Sequence, residues 1–170
     1  MGYRNKTYVI FDGDEDMWAY AHMKGWKTLK HIDFDFNNAH DLKPLANNVD
    51  NEALVKRRLA ERMENTKQVI VVVGEKTKNL YRFVRWEIEQ AQRQNIPIVV
   101  AYLNKSRGLD NNLCPPILKG KNAIHVAFRM KIIKLALDNF PDFYKNQIDK
   151  TKTSNWYYNA SVYKNLGLDE

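Results

Sequence analysis

The sequence predicts a doubly wound α/β fold, a three-layer sandwich with a five-stranded parallel sheet between two layers of helices. Three observations predict it. Apolar runs alternate with helical patterns along the chain. Two of those runs, QVIVVV (68–73) and IPIVVAYL (96–103), show no polar alternation, as expected of strands buried on both faces. The 170 residues, 44% of them hydrophobic, suffice for one domain with its own core and no disulfide or metal staple.

The elements follow in order. TYVIF (7–11) is β-branched and aromatic, reads as the first strand, and ends in FDGDED. Residues 16–27 form a first helix, with Asp14 or Asp16 as its cap. In IDFDF (32–36), Ile32, Phe34 and Phe36 share one face and Asp33 and Asp35 the other, a half-exposed second strand near an edge. Leu54, Val55, Leu59 and Met63 are spaced for a helix over 51–63. The third strand is 68–73, and Val84, Ile88 and Ala91 place a helix over 81–94. The fourth strand is 96–103 and the fifth AIHVAF (123–128). A last helix over 130–140 stops before Pro141. Right-handed crossovers then favour the flavodoxin-like strand order 2-1-3-4-5. The domain spans 1–140, and residues 141–170 form an aromatic- and lysine-rich extension packed on it.

Composition excludes several classes. There is one cysteine, Cys114, so no intrachain disulfide forms and a reducing compartment is expected. Residues 1–7 are polar, unlike a signal peptide, and no apolar run approaches the roughly 18 residues of a membrane span. A cytoplasmic location without membrane contact is expected. Lys plus Arg outnumber Asp plus Glu by 27 to 20, a net charge of +7 that attracts polyanions. The basic residues are scattered and not interleaved with aromatics, so no specific nucleic-acid partner is expected. His22, His31, His40 and His125 lack metal-ligand spacing, so no metal is expected. Neither common phosphate-cradling glycine loop is present.

In such a sheet, ligands bind beyond the carboxyl ends of the strands where the order reverses, here between the first and third strands. The first strand delivers Asp12, Asp14, Glu15 and Asp16 there, with Gly13 permitting a tight turn. Four carboxylates in five residues suit metal binding, phosphoryl chemistry or hydroxyl recognition, or equally a solvated turn capping the next helix. The third strand leads through Gly74, Glu75, Lys76 and Thr77 to the helix bearing Glu87. Glu87 lies at the flank of that helix's buried face. Partly desolvated, it would suit acid, base or cation-stabilising work; exposed, it would pair with Arg85, Arg82 or Lys78. After the second strand, His40 and Asp41 can hold a proton, bind a sugar hydroxyl, or serve the fold alone.

The segments YVIFDGDED, FNNAHDL, VIVVVGEKT, YRFVRWEIEQA and IPIVVAYL, in that order over about residues 5–130, resemble the bacterial TIR-like family that includes the signal-producing TIR protein of Thoeris anti-phage defence. FDGDED, NAHD and FVRWEIEQA carry the resemblance most specifically. It implies a flavodoxin-like fold. Enzymatic members carry an aromatic residue four positions before a glutamate on the helix after the third strand. Here the pair is Phe83 and Glu87, with phenylalanine replacing the family's usual tryptophan. The resemblance therefore implies that Glu87 is the catalytic glutamate and that the loop with His40 and Asp41 shapes the pocket. The implied reaction is cleavage of the nicotinamide–ribose bond of NAD, with NAD as substrate and no cofactor. Asp12, Asp14, His40 and Asp41 would then meet ribose hydroxyls, Phe11 or Trp18 would form an apolar wall, and Arg85 and Lys76 would lie nearest the pyrophosphate. The product would be ADP-ribose or a cyclic ADP-ribose isomer that activates a partner effector encoded nearby, and contacts between TIR domains would allow homo-oligomers. Two alternatives stand beside this. One is a non-enzymatic TIR-like assembly module that tolerates loss of Glu87. The other is a magnesium-dependent phosphatase-like enzyme with Asp12 as nucleophile and Asp14 as acid/base.

Overall fold

Strand β1 (Thr7–Ile10) lies beside β2 (Gln68–Val73), and β3 (Ile98–Tyr102), β4 (Ile124–Ala127) and β5 (Trp156–Tyr157) follow outward. All four pairings are parallel. The structure, a computed structural model, describes residues 7–29, 36, 52–80 and 82–168. The helices are α1 (Met17–Trp26), α2 (Glu52–Met63), α3 (Val84–Arg93), α4 (Met130–Asn146) and α5 (Ala160–Asn165).

Side chains alternate across the sheet, and both sets are buried. Val9, Ile70, Val72, Val99, Ala101 and Val126 face one core with Ala19, Tyr20 and Met23 of α1, Ile132, Ile133 and Ala136 of α4 and Tyr163 of α5. Tyr8, Ile10, Val69, Val71, Val73 and Val100 face the other with Met63 of α2 and Val84, Ile88 and Ala91 of α3. This explains why QVIVVV lacks polar alternation: all six residues are buried, and each valine buried contributes roughly 1.5–3 kcal/mol relative to exposure. The three-layer α/β sandwich is thus the fold of this chain.

The strand order differs in detail from expectation. The described sheet runs β1-β2-β3-β4-β5, against an expected 2-1-3-4-5. The expected strand at 32–36 lies outside the described residues except for Phe36, which is buried against Tyr20. The fifth described strand is Trp156–Tyr157, which falls within the expected extension 141–170. Two residues are too few to show a period, but the Trp156 N–H donates to the Ala123 carbonyl at 3.0 Å and continues the ladder.

Helix α4 runs through Pro141 to Asn146, not to residue 140. A proline inside a helix costs about 3 kcal/mol. Here the turns on either side of it carry an aromatic face. Phe140 is buried, and Phe143 packs at 5.0 Å from the Trp156 ring. That packing outweighs the backbone penalty. Helix α5 also returns to the domain: the Tyr163 hydroxyl accepts the Ala127 N–H at 3.1 Å within the core. Helix α3 stops where Asn95 takes a left-handed φ of 53° and the Ile96 N–H reaches back to the Ala91 carbonyl at 3.0 Å.

Candidate active site

Beyond the carboxyl ends of β1 and β2 lies a cavity of about 490 Å³, a size that suits a small-molecule ligand. Three segments line it among the described residues: Phe11, Asp12, Gly13, Asp14 and Met17 after β1; Val55 and Leu59 of α2; and Asn79, Leu80, Arg82, Phe83, Val84 and Glu87 before and within α3.

The turn after β1 is held by its own first carboxylate. Asp12 Oδ1 accepts the N–H of Asp14 at 3.0 Å and of Glu15 at 3.2 Å, and the Asp12 carbonyl accepts the Asp16 N–H at 2.9 Å. Asp12 is buried, while Asp14 is exposed beside the cavity. Gly13 has no left-handed φ, and a Cβ there would meet nothing within 4 Å. The turn therefore depends on Asp12 hydrogen bonding more than on glycine freedom. Replacing Asp12 with Ala is expected to cost roughly 1–2 kcal/mol in urea unfolding, because two N–H groups lose their acceptor. Asp12→Asn should restore most of this, since an amide oxygen accepts the same bonds; equal losses in both variants would contradict this role.

Asp16 sits at the N-cap position of α1 but makes no side-chain capping bond. Its carboxyl group is buried against Gly74, where a Cβ would come within 2.4 Å of Oδ2, and Oδ2 has no hydrogen-bond partner among the described residues. Glycine at position 74 is what lets the two segments approach. Burial first, and then the negative charge of Asp12, Glu15 and Glu75, pushes Asp16 above its ordinary value.

Glu87 occupies the first turn of α3, where the helix dipole favours negative charge. It is 4% exposed. None of the surface pairs considered for it forms: Arg85 pairs with Glu89 at 3.1 Å, and Arg82 lies 3.7 Å from Glu52. Instead the Tyr8 hydroxyl, from the fully buried middle of β1, donates to Glu87 Oε2 at 2.5 Å. Burial pushes the Glu87 carboxyl up to about 8, opposed by the Tyr8 hydrogen bond and the positive charge of Arg62. Burial and the neighbouring Glu87 together drive the Tyr8 phenol far above its usual range, so it remains a hydrogen-bond donor. A carboxyl group poised near neutrality in a largely apolar cavity can stabilise a developing cation or exchange a proton.

The cavity gathers Phe11, Asp12, Asp14, Phe83 and Glu87 from the residues singled out in the sequence. It does not gather Trp18 or Arg85. Trp18 stands 52% exposed, edge-on to His22 and Phe128 and on a separate crevice with Asp16 and Gly74. Arg85 lies on the outer side of α3 in its pair with Glu89. Lys76 is also elsewhere, paired with Glu15 at 3.2 Å. His40 and Asp41 lie outside the described residues. The sequence reading missed Tyr8, which alternation hides as one more core residue. It also missed Arg82 as the cation of the cavity. The expected helix began at 81, whereas α3 begins at Val84 and leaves Arg82 on the approach turn, its guanidinium 5.1 Å from the Phe83 ring centroid. Among the described residues, no group of three or more His, Cys, Asp or Glu side chains is placed to hold a metal ion.

A parallel sheet with a buried acid beyond its carboxyl edge defines a doubly wound α/β domain with a ligand crevice at the expected end. A family model described as Thoeris protein ThsB, TIR-like domain, matches residues 8–108. The chain belongs to that family of TIR-like Thoeris defence proteins. The matched residues include β1 from Tyr8 onward, the FDGDED turn, α3 with Glu87, and β3.

Proposed function

We propose that this protein cleaves the nicotinamide–ribose bond of NAD and converts the remainder into a cyclic ADP-ribose-type signal for a partner effector. The observation that carries the reading is Glu87, a buried carboxyl lining the cavity at the carboxyl edge of the sheet. In NAD the leaving nitrogen is already cationic, so the C–N bond breaks with its electron pair passing to nicotinamide, and no proton needs to be donated. The ribose carbon left behind becomes oxocarbenium-like, as in glycoside hydrolysis. An ionised Glu87 beside it stabilises that charge most effectively where water is excluded. Arg82 can meet the pyrophosphate, Asp14 can accept from a ribose hydroxyl, and Phe11 and Phe83 can supply the apolar walls. Capture by water yields ADP-ribose with release of a proton. Capture by a nucleophile of the same molecule yields a cyclic isomer lighter by one water.

The test is incubation of the concentrated protein with NAD, alone and in lysate of phage-infected cells, with products read by mass spectrometry. Nicotinamide release is expected, with a co-product at the cyclic mass. A co-product at the ADP-ribose mass would replace cyclisation by hydrolysis. Absence of nicotinamide under both conditions would sink the enzyme reading and leave an assembly module.

A further inference from the structure

We propose that the amino-terminal end of the sheet binds a chain of phosphates along a lysine-lined groove, at the end opposite Glu87. Two cavities of about 270 and 450 Å³ lie there and share Asn95, Tyr144 and Lys150 in their walls. Lys121 and Lys152 line the first, and Lys67 and Lys145 the second. Among the described residues, no aspartate or glutamate lines either. By contrast, Glu15, Asp16 and Glu75 line the crevice beside the FDGDED turn. The net +7 of the chain is thus unevenly spread, and five of its cations converge on one groove.

The five lysines come from distant segments: before β2, before β4, the end of α4 and the loop before β5. This is why no basic run announces them in the sequence. All five are exposed. The side-chain ammonium groups of Lys67, Lys121, Lys145 and Lys152 have no ion-pair or hydrogen-bond partner among the described residues. Lys150 donates to the Tyr144 carbonyl at 3.0 Å and stands 4.5 Å over the Tyr144 ring. The nearest acid in sequence, Asp149, turns its carboxylate to the Thr151 N–H and hydroxyl.

The frame beneath the lysines is fixed. The Gly120 N–H donates to Asn155 Oδ1 at 2.8 Å, Asn122 Nδ2 donates to the Lys152 carbonyl at 3.0 Å, and the Asn122 N–H donates to the Ser154 carbonyl at 2.8 Å. These bonds stitch the turn carrying Lys121 to the loop carrying Lys152, so the backbone positions of these two lysines are fixed relative to each other. The exposed large apolar side chains, Met17, Trp18, Leu29 and Tyr157, line neither cavity. A protein partner would want such an anchor. A phosphate chain wants only repeated point charges along a track, which lysines supply.

The test is fluorescence anisotropy of the full chain with a labelled single-stranded oligonucleotide, with inorganic polyphosphate as a second probe and competitor, over a salt series. Micromolar binding at low salt is expected, with log K falling with log salt at a slope of about −3 for four or five phosphates neutralised on a single strand. A Lys67→Gln, Lys150→Gln, Lys152→Gln variant should bind about tenfold or more weakly, with a slope flatter by about 2. A control with Lys24, Lys105 and Lys164 changed to Gln has the same net charge and should stay within about twofold of wild type. Binding of the oligonucleotide alone assigns a nucleic-acid backbone, and binding of polyphosphate alone assigns a free phosphate chain. Equal losses in the two variants, no binding of either probe at low salt, or binding only to anionic vesicles would overturn the proposal. Thermal melts of both variants keep misfolding from counting as lost binding.

Discussion

Glu87→Gln should abolish nicotinamide release and at the same time raise the melting temperature. The loss of activity is expected to be about 10³-fold or more, since the amide cannot place negative charge beside the ribosyl cation. The gain in stability has an independent cause. A carboxyl whose folded value is about 8 against 4.5 in the unfolded chain holds its proton more tightly when folded. Between those two pH values the folded state binds more protons than the unfolded one. Stability therefore falls as pH rises through this window, by an amount on the order of 5 kcal/mol when fully developed. Below the lower value Glu87 is neutral in both states and the penalty is absent. Glutamine removes the titration but still buries an amide, so part of this is recovered, about 1–3 kcal/mol at pH 8. That corresponds to several degrees for a domain of this size. At pH 5 the two proteins should melt together. A melting difference that does not grow from pH 5 to pH 8.5 would show that Glu87 is not the desolvated acid argued for here, whatever its effect on NAD.

The same reasoning explains why the fold tolerates an unfavourable burial. A carboxyl on the outer face of α3 would stay hydrated and be screened, as Glu89 is in its pair with Arg85. Carried inward between β1 and α3, Glu87 loses water and gains a strong donor, Tyr8. Stability given up at one residue is compatible with the core on either side of the sheet, where nearly every strand position is buried.

What the sequence made legible follows from how local each signal is. The strands buried on both faces were readable because QVIVVV and the fourth run leave no polar position to misplace. The convergence of FDGDED with the helix after β2 was readable because the alternation of strands and helices fixes which loops share an edge. Glu87 was singled out, but its burial was not, because three- and four-residue spacing puts it at the margin of the apolar stripe and the tilt of α3 decides the side. Tyr8 could not be found in this way: a tyrosine in an apolar strand reads as core, and only a partner 79 residues away makes it part of a site. The two-residue strand β5 and the passage of α4 through Pro141 were invisible for the same reason, since both depend on Trp156 and Phe143 meeting across the chain. The lysine groove is the extreme case, drawn from four segments with no shared motif.

Tyr8→Phe gives the second large effect, and its signature is a displaced pH profile more than a uniform loss. The Tyr8 hydroxyl donates to the Glu87 carboxylate and stabilises its ionised form. Phenylalanine keeps the ring in its fully buried place on β1 and removes that bond. The remaining influence that favours the ionised form is the positive charge of Arg62, against the dominant effect of burial. The Glu87 carboxyl should therefore titrate still higher than about 8. A hydrogen bond to a charged group contributes about 1.5–3 kcal/mol, which moves the titration by roughly one to two pH units. If the ionised carboxylate is the active form, nicotinamide release by the wild type rises with pH through that titration. The variant should then fall roughly tenfold or more below wild type at pH 7 and recover toward it above pH 9. A structural defect would lower the rate equally at every pH, and a proton-donating role for Glu87 would reverse the slope. Infrared difference spectra of the Glu87 carboxyl across the same pH range, compared with Glu87→Gln, would follow the displacement without any reliance on turnover. An unchanged carboxyl titration in Tyr8→Phe would refute the assignment of Tyr8 as the residue that tunes this acid.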